Sequence, residues 1–264
     1  MNLFLQWNCK WKMLIEFLKN NTKMFALNRN IDLKKYFALT IVYLLFTQIA
    51  IAQTNDYLKE IKDELKKEWP HNRTINLVFH GHSVPTGYFR TPEVRTFDSY
   101  PFLLLKELKT IYPTAVINVI TTSIGGENST QGAKRFKKDV LVHKPDVLFI
   151  DYALNDRKIG LKQSRKNLEK MIKQALKKRT KIILMTPSPD ISVDFLKPGG
   201  ELDLFAQQIK SLAAKYKVGV VDSYGIFKQV SEQGKNIKDY MAQSNHPNEK
   251  GHQLIADGIM EYFK

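Results

Sequence analysis

From Gln53 onward, short apolar runs alternate with longer amphipathic segments. The runs Asn76–His80, Ala115–Thr121, Asp146–Asp151, Lys181–Thr186 and Val218–Asp222 are rich in Val, Ile, Leu and Phe and alternate little. That is the pattern of strands covered on both faces. Helical stretches are expected near Tyr100–Ile111, Thr130–Val142, Leu161–Lys178 and Glu201–Lys215. A last helix is expected at about Glu249–Tyr262, where Leu254, Ile255, Ile259 and Phe263 recur at helical spacing. Strands alternating with helices predict one α/β domain, a sandwich around a five-stranded parallel sheet, without internal repeats. In such sheets the ligand site lies beyond the carboxyl ends of the strands.

Four segments fall at those strand ends or directly before the last helix. They are Gly81-His82-Ser83, the run from Ser123 to Ser129 with Gly125-Gly126, Tyr152-Ala153-Leu154-Asn155-Asp156, and Asn245-His246-Pro247-Asn248. Together they supply a nucleophile, a base and an oxyanion hole. Ser83 is the candidate nucleophile, since an alcohol attacks only when a base takes its proton. His246, in a loop held by Pro247, is the candidate base, with an ordinary pKa of about 6.5 that suits both accepting and returning a proton. The backbone N–H groups of Ser83 and Gly126 and the side-chain amide of Asn155 are the candidate oxyanion donors. Taken singly each has a plainer reading: Ser83 and Asn155-Asp156 as caps, Gly125-Gly126 as a tight turn, His246 as a cap or surface turn. His252 is a rival histidine, but it lies within the helix, where packing is the simpler role.

The chain before Gln53 reads differently. Lys34 and Lys35 precede an apolar run from Tyr36 to Ile51 that ends in Ala50-Ile51-Ala52, a small-x-small cleavage site. Its core of about 15 residues is short of the ~20 a membrane span needs. Residues 1–52 are therefore expected to be a signal peptide or targeting segment, with a retained anchor as the alternative and Met24 as an alternative start. Residues 53–264 would form the hydrolase domain, secreted or periplasmic. The only cysteine, Cys9, lies in the leader, so the mature chain holds no disulfide, and no cysteine stands at the cleavage point to carry a lipid.

The resemblance to a known family rests on these residues. Ser83, Gly126, Asn155 and His246 match, in order, the four residues that name the SGNH (GDSL-type) hydrolases. Gly132, Ala133 and Arg135 also resemble the helix entry of known members. The similarity covers most of residues 75–262. It implies a flavodoxin-like three-layer sandwich, cofactor-free ester hydrolysis through an acyl-enzyme, and a shallow site. Three departures stand out. The family's Gly-Asp-Ser is Gly81-His82-Ser83, and its Gly-x-Asn-Asp is Ala153-Leu154-Asn155-Asp156. The aspartate usual three residues before the catalytic histidine is Gln243. Without it the site would run as a Ser83–His246 dyad, with Nδ1 held by a backbone carbonyl or by another acid, for which Asp239 and Asp190 are the candidates.

Composition adds limits. The whole chain carries a formal charge of +15; the leader holds seven of the 41 Lys/Arg and two of the 26 Asp/Glu, which leaves +10 on the remainder. Such a charge attracts anionic surfaces, yet most of it is lysine along helical faces interrupted by Glu107, Asp139 and Glu169. Solvated helix faces are the simpler account, and no stacking aromatics, helix-turn-helix or zinc signature supports a nucleic-acid partner. His80 and His82 have a His-x-His spacing, and alternating strand residues share a face, but no compact partner set accompanies them, so no metal and no cofactor is expected.

The expected activity is a serine esterase on small-molecule or polysaccharide esters, O-acetyl carbohydrate foremost, because export places the chain among extracellular polymers. Pro85 to Arg90 and Thr186–Gly200 are the expected pocket-lining insertions. Tyr88 and Phe89 serve a sugar ring or an acyl chain equally well. The same-fold alternative is a lysophospholipase or thioesterase, and the non-enzymatic one a carbohydrate- or envelope-binding module.

Overall fold

The computed structural model describes residues 57–264; the expected leader and cleavage site, with Cys9 and Met24, lie outside the described residues. Helix α1 (Lys59–Leu65) leads into β1 (Thr74–Gly81), followed by the short α2 (Ser83–Thr86) and α3 (Tyr100–Ile111). Then come β2 (Val116–Thr121), α4 (Ser129–Asp139), β3 (Val147–Asp151), α5 (Gly160–Leu176), β4 (Lys181–Met185) and α6 (Glu201–Tyr216). The chain closes with β5 (Gly219–Val221), α7 (Ser223–Glu232), a hairpin of β6 (Met241–Gln243) and β7 (His246–Pro247), and α8 (Glu249–Met260).

Strands β1 to β5 form one parallel sheet in the order β2-β1-β3-β4-β5. The five expected strands are these five, each within two residues at either end. Successive side chains along a strand alternate between faces, and both faces are apolar. Leu77, Phe79 and Phe149 meet Tyr100, Leu104, Phe227 and Ile255 on one side. Val78, Leu148 and Ile150 meet Phe136, Leu168, Ile172 and Ile209 on the other. Phe79 and Phe149 stack across β1 and β3 with ring centroids 4.3 Å apart. The middle strand β3 is buried throughout, while the edge strand β2 is not, which is why Val116 is exposed.

This strand order fixes the site. The chain runs outward from β1 to β2 and then returns past β1 to β3, so β1 and β3 flank the point where the winding reverses. Ligands of such sheets bind at that point, beyond the carboxyl ends. Gly81 is paired with Asp151 in the register there. A side chain at Gly81 would strike the Asp151 carbonyl and Pro85, so glycine is what lets β1 turn sharply into α2. Among the described residues no helix is long and apolar enough to cross a membrane.

Candidate active site

Ser83 is the first residue of α2, directly after β1. His82 caps that helix: its Nδ1 accepts the Val84 N–H at 3.2 Å. The first N–H groups of a helix have no partner within it, which leaves the Ser83 N–H available beside its own hydroxyl. Gly87, at φ 96°, closes the turn, a left-handed conformation that favours glycine.

His246 reaches Ser83 from the far end of the chain. Pairing of Met241 with Pro247 and of Gln243 with His246 forms the β6–β7 hairpin. The Asn248 side chain then caps α8 through Gly251 N–H at 3.2 Å. His246 Nε2 lies 2.8 Å from Ser83 Oγ, and both side chains are buried. On the other side of the ring, Nδ1 lies 3.1 Å from the carbonyl oxygen of Phe89. A carbonyl only accepts, so Nδ1 carries the proton and Nε2 presents its lone pair to the serine hydroxyl. Burial lowers the imidazole's pKa; the Phe89 carbonyl opposes this shift and repulsion from His82 adds to it.

The acids considered as orienting partners are elsewhere. Asp190 accepts hydrogen bonds from Arg157 Nη2 at 2.6 Å and from Ser192. Burial would raise its pKa, but those bonds outweigh it and hold the carboxyl below its ordinary value. Asp239 is exposed, and it is its backbone carbonyl that is used, accepting from Asn248 Nδ2 at 2.9 Å. Of the partners considered for Nδ1, the structure brings up a backbone carbonyl. No side-chain signal could have singled out Phe89 for this.

The remaining candidates line the same edge. Gly126, at φ 80°, is exposed with open space around its α-carbon. Asn155 Nδ2 donates one hydrogen to the Glu127 carbonyl at 2.8 Å, which ties the loop after β3 to the glycine loop after β2 and leaves its second N–H uncommitted. The Glu127 carboxylate is held in turn by Arg135 at 2.6 Å and by Tyr152. Asp156, fully buried, accepts from Ser129 N–H and Ser164 Oγ and so anchors the start of α4. Burial raises its pKa.

His80 and His82 do not share a face, contrary to the expectation from their spacing, because β1 ends at Gly81 and α2 begins. His80 contacts Thr122, Gly132 and Tyr152, and burial lowers its pKa to about 3. His82 turns to the opposite side, toward Asp151. Among the described residues no group of three or more His, Cys, Asp or Glu is placed to hold a metal ion. His252 is buried in the core, its Nδ1 accepting from Tyr100 N–H at 3.2 Å and its ring stacked on Phe89.

Two further residues separate on burial. Phe89 is 3% exposed and faces inward, so its ring is not a platform for a sugar or acyl chain. Tyr88 is half-buried and lies between Gly125 and His246: a side chain at Gly125 would sit 3.0 Å from the Tyr88 ring, whose centroid is 6.0 Å from that of His246. A cavity of about 780 Å³ lies at the opposite edge of the sheet among Arg73, Lys144, Arg179 and Lys181.

An uncharacterized lipoprotein of Bacillus subtilis (strain 168), YqeF, is 25% identical over 178 residues, which is 55% of this chain and 73% of that protein. Among solved structures, a two-domain esterase active on acetylated mannans superposes with a TM-score of 0.64 at 22% identity; the match covers 78% of this chain and 52% of that one. This chain thus spans about half the length of that relative. The acetylxylan esterase Axe2 of Geobacillus stearothermophilus superposes with a TM-score of 0.62 at 22% identity, covering 72% of this chain and 94% of that one. At these identities the structural likeness speaks for the fold, a five-stranded parallel α/β sandwich of SGNH type. Residues 79–254, two thirds of the chain, match the GDSL-like Lipase/Acylhydrolase family; the chain belongs to that family, the SGNH hydrolases, and is a carboxylic ester hydrolase.

Proposed function

We propose that this chain is an exported serine esterase that removes acyl groups, foremost O-acetyl groups on carbohydrate, through a Ser83 acyl-enzyme. The observation that carries the reading is the 2.8 Å contact between Ser83 Oγ and His246 Nε2, with Nδ1 committed to the Phe89 carbonyl. In the first half-reaction Ser83 Oγ attacks the ester carbonyl carbon while its proton passes to Nε2. The oxyanion forms opposite the Ser83 N–H, the Gly126 N–H and the free N–H of Asn155, fixed donors that need no reorganisation. His246 then gives its proton to the departing alcohol oxygen as the C–O bond breaks. In the second half-reaction water attacks the acyl-serine carbon, Nε2 takes a water proton, and that proton returns to Ser83 Oγ as the carboxylic acid leaves.

A carbonyl in place of a carboxylate still supports this cycle. The third member's task is to hold the imidazole in the right tautomer, and reversing the tautomer costs about 10⁴ in rate. A carbonyl acceptor selects the same tautomer as a carboxylate, though it holds it less strongly and stabilises the imidazolium less. The acetyl-carbohydrate preference draws on the acetylated mannan and xylan substrates of the structural relatives. The inward-facing Phe89, which offers no exposed apolar ring, favours it over a long-chain lipase groove.

The test is p-nitrophenyl acetate and acetylxylan hydrolysis by the purified chain beside Ser83→Ala and His246→Ala. Activity lost in both variants supports the reading; activity unchanged by both would remove these residues from the mechanism. Preference for a long-chain over an acetyl ester would move the substrate to a lipid.

A further inference from the structure

Gln243 stands three residues before His246, where the family usually carries the acid, yet it does not take that acid's place at Nδ1. Its Oε1 accepts the Thr91 backbone N–H at 3.0 Å, and its Nε2 donates to Asn245 Oδ1 at 3.1 Å. Thr91 lies two residues beyond Phe89, whose carbonyl holds His246. The segment from Gly87 to Arg95 is bonded internally: Phe89 N–H to Glu93 O at 3.1 Å, Arg95 N–H to Gly87 O at 2.8 Å, and a bridge between Tyr88 and Val94. It therefore moves as one piece, and Gln243 ties that piece to the β6–β7 hairpin that carries the base. Arg90 Nη2 adds a longer contact, 3.4 Å, to the Ala242 carbonyl on the same hairpin.

We propose that Gln243 is a positioning residue: by clamping Thr91 it keeps the Phe89 carbonyl on His246 Nδ1, and so supplies through the backbone what the missing aspartate would supply directly. A glutamine suits this because its amide bonds in both directions at once, to the loop through oxygen and to Asn245 through nitrogen. The clamp and the carbonyl are one device. The Phe89 ring is anchored against His252, but the stretch from Arg90 to Arg95 is exposed, and an exposed loop without a tether samples many positions. Each position that leaves Nδ1 unbonded lets the imidazole turn or change tautomer. The proposal rests on the Ser83–His246 esterase reading, and its test separates the two.

Gln243→Ala, Gln243→Leu and Gln243→Glu are compared with the parent chain by steady-state kinetics on p-nitrophenyl acetate and by hydrogen–deuterium exchange over residues 87–95. Loss of one ordinary net hydrogen bond corresponds to about tenfold. The Ala and Leu variants are expected to lose about tenfold in kcat with little change in KM, and Thr91 amide exchange should quicken by a similar factor. Glutamate keeps the acceptor, so Gln243→Glu should retain both the protection and most of kcat. Unchanged exchange at Thr91 in the Ala variant would overturn the clamp. So would a normal kcat in Ala and Leu, or an equal loss in all three variants in step with a lowered melting midpoint. Esterase activity that survives Ser83→Ala would bring down the parent reading instead, and the exchange measurement would still report on the clamp.

Discussion

His82 Nε2 lies 3.3 Å from Asp151 Oδ1 in the buried floor beneath Ser83. Because Nδ1 of the same ring accepts the Val84 N–H, Nε2 carries the hydrogen, close to the carboxylate but outside hydrogen-bond geometry. Asp151 accepts on its other oxygen from Tyr100 Oη at 3.1 Å. The residue that departs from the family's Gly-Asp-Ser is thus paired with an acid delivered by the neighbouring strand.

That pairing predicts that restoring the family's aspartate is not a repair. His82→Asp would place a second carboxylate against Asp151 in a site without water to screen it. Two carboxylates this close cannot both ionise in a buried site without penalty, and an uncompensated buried charge costs about 3 kcal/mol. Urea denaturation should show His82→Asp losing about 3 kcal/mol, and the double variant His82→Asp with Asp151→Asn recovering most of it. A single variant as stable as the parent would mean that the His82–Asp151 contact carries no weight.

The base itself sets the second expectation. His246 must be neutral to accept the Ser83 proton, and burial holds its pKa below the ordinary 6.5. A lowered pKa keeps the ring neutral into mild acid, so the acid limb of kcat/KM should fall below pH 6.5. A limb at or above that value would indicate an acid near Nδ1 that raises the ring's pKa, contrary to the carbonyl arrangement.

Asn155→Ala tests the oxyanion hole. Removing one preorganised donor costs about 10²–10³ in kcat. Here the amide also holds the Glu127 carbonyl at 2.8 Å, so part of the loss would come from the glycine loop. Asn155→Asp, unable to donate, should be as inactive as alanine. Wild-type kcat in either variant would exclude Asn155 from the reaction.

These contrasts show what residue types reveal and what they do not. The five strands were legible because β-branched and apolar runs covered on both faces have no other stable setting. Ser83, Gly126, Asn155 and His246 were legible as strand-end and loop residues, which is where the structure places them. Helix α7 was not, although Asp222 caps it through Gly225 N–H at 3.1 Å and Gly234 follows it at φ 78°. The Phe89 carbonyl was invisible for a deeper reason: every residue has one, and only tertiary placement selects it. Gln243 announced the missing acid without naming the substitute.

Acid stability follows from two histidines that do no chemistry. Burial lowers the pKa of both His80 and His252 to about 3, from an ordinary 6.5. The unfolded chain would take up a proton on each below about pH 6.5, while the folded chain stays unprotonated there. The unfolded state therefore binds more protons between those limits, and stability falls as pH drops. From pH 7 to pH 5 each ring should cost about 2 kcal/mol. Asp156, whose pKa burial raises, works in the opposite sense, so the whole-chain slope alone does not isolate the histidines. His252→Phe does isolate one of them. Its ring keeps the stack on Phe89 but cannot titrate, and it forfeits the bond to Tyr100 N–H. The variant should be less stable than the parent at pH 7, yet lose about 2 kcal/mol less between pH 7 and pH 5 in urea denaturation. Equal losses in both proteins would mean that His252 is protonated in the folded state at pH 5, and that the core around it admits water.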